Sequence, residues 1–253
     1  MTNQLISSYI PAFIFILLRV GIVIMLLPFF GSRNFPAQMK IGLSVAFALI
    51  LTPLIEIKIA NNELIPLMVM REIILGIAFG FTARFVFFAI EMSGQIISNA
   101  MGLSIAQSFN PEIGQSTEMS QLFGFIAMLI FLSIDAHHDL IYVFVKSYEL
   151  LPGGEISLSG LIPSVVSIVK VMFIIALKLS APVVMTMVVS HIMLGFVYKA
   201  APQINIFFVA YPIYIFVGFI VLLIGLPMIL TVTNGYLGSI TEEVTKLLNS
   251  LRG

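Results

Sequence analysis

The hydrophobic runs of this chain have the wrong shape for plain membrane-crossing helices. A helix spanning ~30 Å of hydrocarbon needs roughly 20 apolar residues. Apolar runs occupy residues 9–30, 41–55, 64–90, 119–134, 161–198 and 204–232, and those at 41–55 and 119–134 fall short of that length. Run 9–30 carries Arg19, with Pro11 and Pro28 near its ends. Run 64–90 carries Arg71, Glu72 and Arg84, and run 161–198 carries Lys170, Lys178, Pro182 and His191. Run 204–232 has no charge but is interrupted by Pro212 and Pro227. Ionisable groups at membrane depth are costly unless protein or water surrounds them. The chain is therefore expected to bury much of its surface against partner subunits or around a wet cavity.

Every run exceeds strand length and lacks strict alternation, so each is read as helix. Prolines inside them imply kinked or broken helices, tolerated where neighbours satisfy the freed backbone groups. The expected fold class is all-α and membrane-associated, with residues 91–118 and 135–160 as polar connections. Hydrophobic residues make up 60% and charged residues 9% of the chain, which places it among membrane proteins. Twelve basic residues balance twelve acidic ones, so no basic stripe awaits nucleic acid. Cysteine is absent, which removes disulfides, thiolate nucleophiles and cysteine metal sites together. Met1-Thr2-Asn3-Gln4 contains no basic residue, so the first run is expected to persist rather than be cleaved as a signal. Arg33, Lys40 and Lys199 would oppose Lys58, Lys146, Lys246 and Arg252 in a six-span arrangement, a bias too small to orient the chain.

Several constellations have physical content. Gly94, Ser98, Gly102 and Ala106 recur every four residues, and Gly76 and Gly80 repeat the spacing. On a helix such a stripe lets another backbone approach closely, from the same chain or from another subunit. Residues 95–116 are polar yet almost uncharged, and Phe109-Asn110-Pro111-Glu112-Ile113-Gly114 combines a bulky side chain, a turn and a flexible joint. Composition favours a solvated loop. The functional alternative is a wet constriction closed by Phe109 or a neighbouring methionine such as Met101, because a fixed charge would trap passing cargo. Arg19, Arg71, Glu72, Arg84, Glu91, Lys170, Lys178 and His191 sit in apolar surroundings. Ion pairs and snorkelling are favoured for them over proton relay. His137 and His138, flanked by Asp135 and Asp139, invite a metal, but no second ligand cluster accompanies them. Gly102-Leu103-Ser104-Ile105-Ala106 only approximates a nucleophile elbow. No catalytic site, cofactor or metal is expected. At the C-terminal end Ser239 and Glu242 form a capping box, after which Ile240, Val244, Leu247, Leu248 and Leu251 share one helical face. That face could close on its own chain, on a membrane surface or on a partner.

Taken in order, these residues resemble a known family. Arg19 with Pro28 and Pro36, Arg71-Glu72 with Gly76 and Gly80, and Gly94-Gln95 to Met101-Gly102 followed by Asn110-Pro111 and Gly114 carry the first half of the likeness. His137-His138, Ser147-Tyr148, Pro152-Gly153, Ala181-Pro182, Leu194-Gly195 and Ala201-Pro202-Gln203-Ile204-Asn205-Ile206-Phe207 carry the second. Together they resemble the FliR/SctT family of type III export-gate subunits, flagellar and virulence-associated. Asn110, Asp135-Ala136 and Tyr214 depart from that family's usual Asp, Asn-Gly and Lys. The resemblance implies one copy of this chain per gate, assembled with FliP-like and FliQ-like subunits and joined by an FlhB-like subunit. Such a gate, in the bacterial inner membrane at the flagellar basal body, passes unfolded proteins. Residues 1–160 would resemble a FliP-like unit and 161–232 a FliQ-like hairpin, with 233–253 as an amphipathic tail. Met101, Gln107, Phe109, Asn110, Pro111 and Gly114 become pore or plug candidates. A virulence-type gate and, more remotely, a small-molecule secondary transporter with broken helices are the alternatives.

Overall fold

A computed structural model describes residues 2–27, 35–55, 65–104, 117–151, 160–203 and 206–251. Among these the regular structure is entirely α-helical: α1 (Thr2–Leu26), α2 (Ala37–Leu51), α3 (Ile65–Ala100), α4 (Glu118–Ser133), α5 (Ala136–Leu150), α6 (Leu161–Ala200), α7 (Ile206–Gly238) and α8 (Ile240–Leu251). A helix satisfies every backbone group within its own segment, which suits a chain this apolar. Four helical stretches are long and apolar enough to cross a membrane, and a bent pair formed by α4 and α5 makes a fifth if taken together.

Prolines do not end the helices that contain them. Pro11 lies inside α1, Pro182 inside α6, and Pro212 and Pro227 inside α7. One break between successive helices falls instead at Ile134–Asp135, where Asp135 takes a left-handed conformation with φ 56°. Several hydroxyls in the apolar helices donate to the carbonyl one turn back. Thr82 bonds Ala78, Thr186 bonds Pro182 and Thr231 bonds Pro227, at 2.7–2.9 Å.

Two expected connections are helical. Residues 91–100 belong to α3, which runs on past the last purely apolar turn. Their inward face is made of Ser93, Gly94, Ile97 and Ser98, all buried, so small polar residues there permit close packing rather than solvation. The Asp135–Asp139 segment likewise opens α5, with Asp139 in its first turn, where a carboxylate complements the helix dipole.

The chain forms two compact units, each discontinuous in sequence. One combines residues 1–85, 135–169 and 239–253; the other combines 86–134 and 170–238. In the first, α1 packs on α2 and α8 packs on α5. Ile240, Val244, Leu247, Leu248 and Leu251 are all buried, so the amphipathic face closes on its own chain. Ser250 hydrogen-bonds Ser164 at 2.6 Å, and a Cβ on Gly160 would overlap the Ser250 carbonyl. In the second unit α4 packs on α7, and Phe87 meets Phe131 edge to face at 5.2 Å.

Candidate functional site

The most concentrated chemistry lies inside the first unit. Arg19 on α1 is 1% exposed and Glu72 on α3 is 2% exposed, so neither charge can be left to water. Arg19 Nε donates to Glu72 Oε2 at 2.6 Å and Nη2 donates to Oε1 at 2.8 Å, a bidentate pair. The remaining guanidinium nitrogen, Nη1, donates to Ser147 Oγ at 2.9 Å, and Ser147 donates onward to the Phe144 carbonyl at 2.6 Å. The Tyr148 ring covers the guanidinium carbon at 3.9 Å. One arginine thereby ties α1, α3 and α5 together. Arg19 and Glu72, two ionisable residues of the apolar runs, thus form a buried ion pair. Ser147 and Tyr148 were legible only as part of the family likeness, because nothing local marks them as partners of a residue more than a hundred positions away.

The other ionisable residues behave differently. Arg84 donates to the Leu26 carbonyl at 3.3 Å, capping the C-terminal end of α1, where a cation meets the negative end of the helix dipole. Lys178 bonds the Tyr236 hydroxyl at 3.1 Å rather than a carboxylate. Arg71 is half-buried and Lys170 exposed. His191 meets Tyr214 with ring centroids 4.2 Å apart and planes tilted by 59°.

Small residues mark where backbones meet within the chain. A Cβ on Gly76 would stand 3.1 Å from Ile22, and one on Gly80 would stand 2.9 Å from Leu26, so both admit α1. At Gly94 it would stand 2.5 Å from the Met119 carbonyl oxygen and 2.8 Å from Ser120 Cα, the start of α4. Ser98 continues that buried face. The stripe stops there: α3 ends at Ala100, and Gly102, at φ 77°, lies beyond it. Leu103 N–H donates to the Ser98 carbonyl and Gly102 N–H to the Asn99 carbonyl, at 3.0 and 3.1 Å. This is a Schellman cap, whose left-handed position favours glycine. Gly102 is thus a helix terminator rather than a rung of the stripe. Ala106, Gln107, Phe109, Asn110, Pro111 and Gly114 lie outside the described residues.

Met101, by contrast, is fully buried. It occupies a notch on α7 that exists because residue 218 is glycine: a Cβ there would stand 2.6 Å from Met101 Cγ and Cε. Beside it, a Cβ on Gly102 would stand 2.8 Å from the Tyr211 ring. Sequence reasoning missed Tyr211 and Gly218. A glycine within the bulky run around Ile215–Phe219 was the one available signal.

Asp135, His137 and His138 place ligand atoms within 4.8 Å of one another. Ligands ~2.1 Å from a tetrahedral ion stand roughly 3.4 Å apart. Asp135 and His138 are solvated and face each other, with His138 Nδ1 3.6 Å from Asp135 Oδ1, an exposed arrangement that acidic and imidazole groups adopt without a metal.

Comparison with known proteins bears on this architecture as a whole. The sequence matches the family described as bacterial export proteins, family 1, over residues 10–240. It is 30% identical to a flagellar biosynthetic protein FliR of Bacillus subtilis, over 97% of each chain. A protein of the same name from Caulobacter vibrioides is 29% identical over 86% of this chain and 88% of its own. The Escherichia coli protein of that name is 28% identical over 90% and 89%.

Proposed function

The chain belongs to family 1 of the bacterial export proteins, and from that premise we propose that it is the FliR-type subunit of a flagellar type III export gate. In this reading it joins FliP-like and FliQ-like subunits, one copy per complex, and an FlhB-like subunit in the bacterial inner membrane. Together they build a closed pore for unfolded flagellar proteins. Residues 1–160 would act as a FliP-like unit and 161–232 as a FliQ-like hairpin, with Phe109 and its neighbours in the plug. The flagellar assignment is preferred over a virulence-type gate because the relatives carry flagellar names.

One observation carries the gate reading: the long match to these relatives coincides with helices whose apolar faces are largely uncovered. In the stretch Ile65–Ala100 the most apolar window is 56% buried within the chain, but in Phe208–Leu251 it is 17% buried. Phe208, Phe216, Leu223 and Ile224 on α7 are all strongly exposed. That surface demands lipid or protein, and a hetero-oligomer supplies protein.

Co-expression tests the reading directly. Detergent extraction with the FliP-like and FliQ-like subunits should give one stoichiometric complex, and extraction of the chain alone should give aggregate. A stable monomer that ignores those subunits would refute it, and a monomer that binds a small solute would favour the transporter alternative.

A further inference from the structure

We propose that Gly218 and Tyr211 of α7 are positioning residues for the gate, because they hold the terminal turn of α3 at Met101 and Gly102. This rests on the export-gate reading above. Four observations within the second unit support it. Met101 has no exposed surface although it follows the last residue of α3. Its side chain fills the space that a Cβ at residue 218 would occupy, with Cγ, Sδ and Cε all 2.6–2.7 Å from that position. Gly102 takes φ 77° and turns the backbone directly against the Tyr211 ring, which would stand 2.8 Å from any Cβ. Tyr211 in turn meets Tyr214 edge to face at 6.3 Å, so the ring facing Gly102 is itself supported on α7.

The arrangement is a knob in a notch followed by a left-handed stop. A Schellman cap alone ends a helix but leaves it free to move with its last turn. Seating Met101 against Gly218 removes that freedom. It fixes the point and direction from which the chain leaves α3, ahead of the plug candidates from Gln107 onward in the sequence. Methionine suits such a seat because an unbranched side chain can follow an irregular cleft. A seat that only stabilised the fold would need no particular relation to permeability, whereas a positioning seat must affect how tightly an assembled gate closes.

The test uses the full chain co-expressed with its gate partners, with ion leakage measured per assembled complex. Gly218→Ala intrudes on Met101, and Met101→Ala empties the notch. Each should raise leakage severalfold while the complex still co-purifies. The double variant restores part of the fit and should leak less than either single variant. Phe109→Ala serves as the reference for a lost plug. Gly218→Ala gates as tight as the wild type, or a double variant whose leak is the sum of the two, would overturn the positioning role while leaving the gate reading intact if Phe109→Ala leaks. Tight gates in all variants, Phe109→Ala included, would overturn both. Should Gly218→Ala fail to assemble, Met101→Ala and Tyr211→Leu decide: leaky assembled complexes support positioning, and tight ones refute it.

Discussion

Replacing Glu72 by Gln separates a buried ion pair from a decorative one. Arg19 holds both Glu72 oxygens, at 2.6 and 2.8 Å, and almost no solvent reaches either residue. Charge centres about 4 Å apart attract by ~4 kcal/mol at an effective dielectric of 20. Desolvation of the two ions offsets most of that, so the intact pair adds little net stability. Removing one partner is another matter, because the second charge stays buried without compensation. The expected loss for Glu72→Gln is about 3–5 kcal/mol, or roughly two to three and a half orders of magnitude in the folding equilibrium. Substituting both residues with apolar ones, Arg19→Met with Glu72→Leu, removes the uncompensated charge and should recover most of the loss. Pulse proteolysis of the co-expressed complex across an SDS titration reads this chain's band alone and gives the three stabilities. A Glu72→Gln loss below about 1 kcal/mol, the range of a solvated pair, would refute the low-dielectric account. A double variant no better than the single one would refute it equally.

Two further outcomes follow from the packing. Gly94→Ala places a methyl 2.5 Å from the Met119 carbonyl, which is backbone and cannot swing aside; it should destabilise by about 1–3 kcal/mol and lower the yield of complex, whereas Gly195→Ala, with nothing within 4 Å, should be neutral or favourable. Leu247→Ala empties a buried contact of α8 on the first unit and should cost about 2–5 kcal/mol, seen as faster proteolytic release of a C-terminal tag; Lys246→Ala loses only an exposed pair to Glu243 at 2.7 Å and should shift stability by a few tenths of a kcal/mol.

Much of the secondary structure was legible because lipid-compatible segments leave the backbone few choices. The apolar runs became helices, and the five-residue apolar face of α8 is the buried one. What misled was polarity read as exposure. Residues 91–100 look like a loop by composition, yet Ser93, Gly94 and Ser98 are buried, and at Gly94 the approach of α4 leaves no room for a side chain. The four-residue rhythm through Gly102 misled in the opposite direction. Spacing alone does not distinguish a glycine needed for close approach from one needed for a positive φ. Within the candidate site, the sequence singled out Arg19 and Glu72 as ionisable residues in apolar runs, but it marked Ser147 only through the family likeness, and it held no sign of Met101 meeting Gly218.

Local periodicity and the scarcity of charge, properties of the sequence by itself, determined an all-helical chain with a two-faced final helix and ionisable residues that had to find company indoors. Only the tertiary structure decided which company. Arg19 meets Glu72 across 53 positions, and α8 folds back onto α5 rather than facing outward. The first choice turns on how closely two distant backbones can approach, set by Gly76 and Gly80 on α3 and the side chains of α1; the second turns on the apolar face of α8 finding α5, and no single segment encodes either pair.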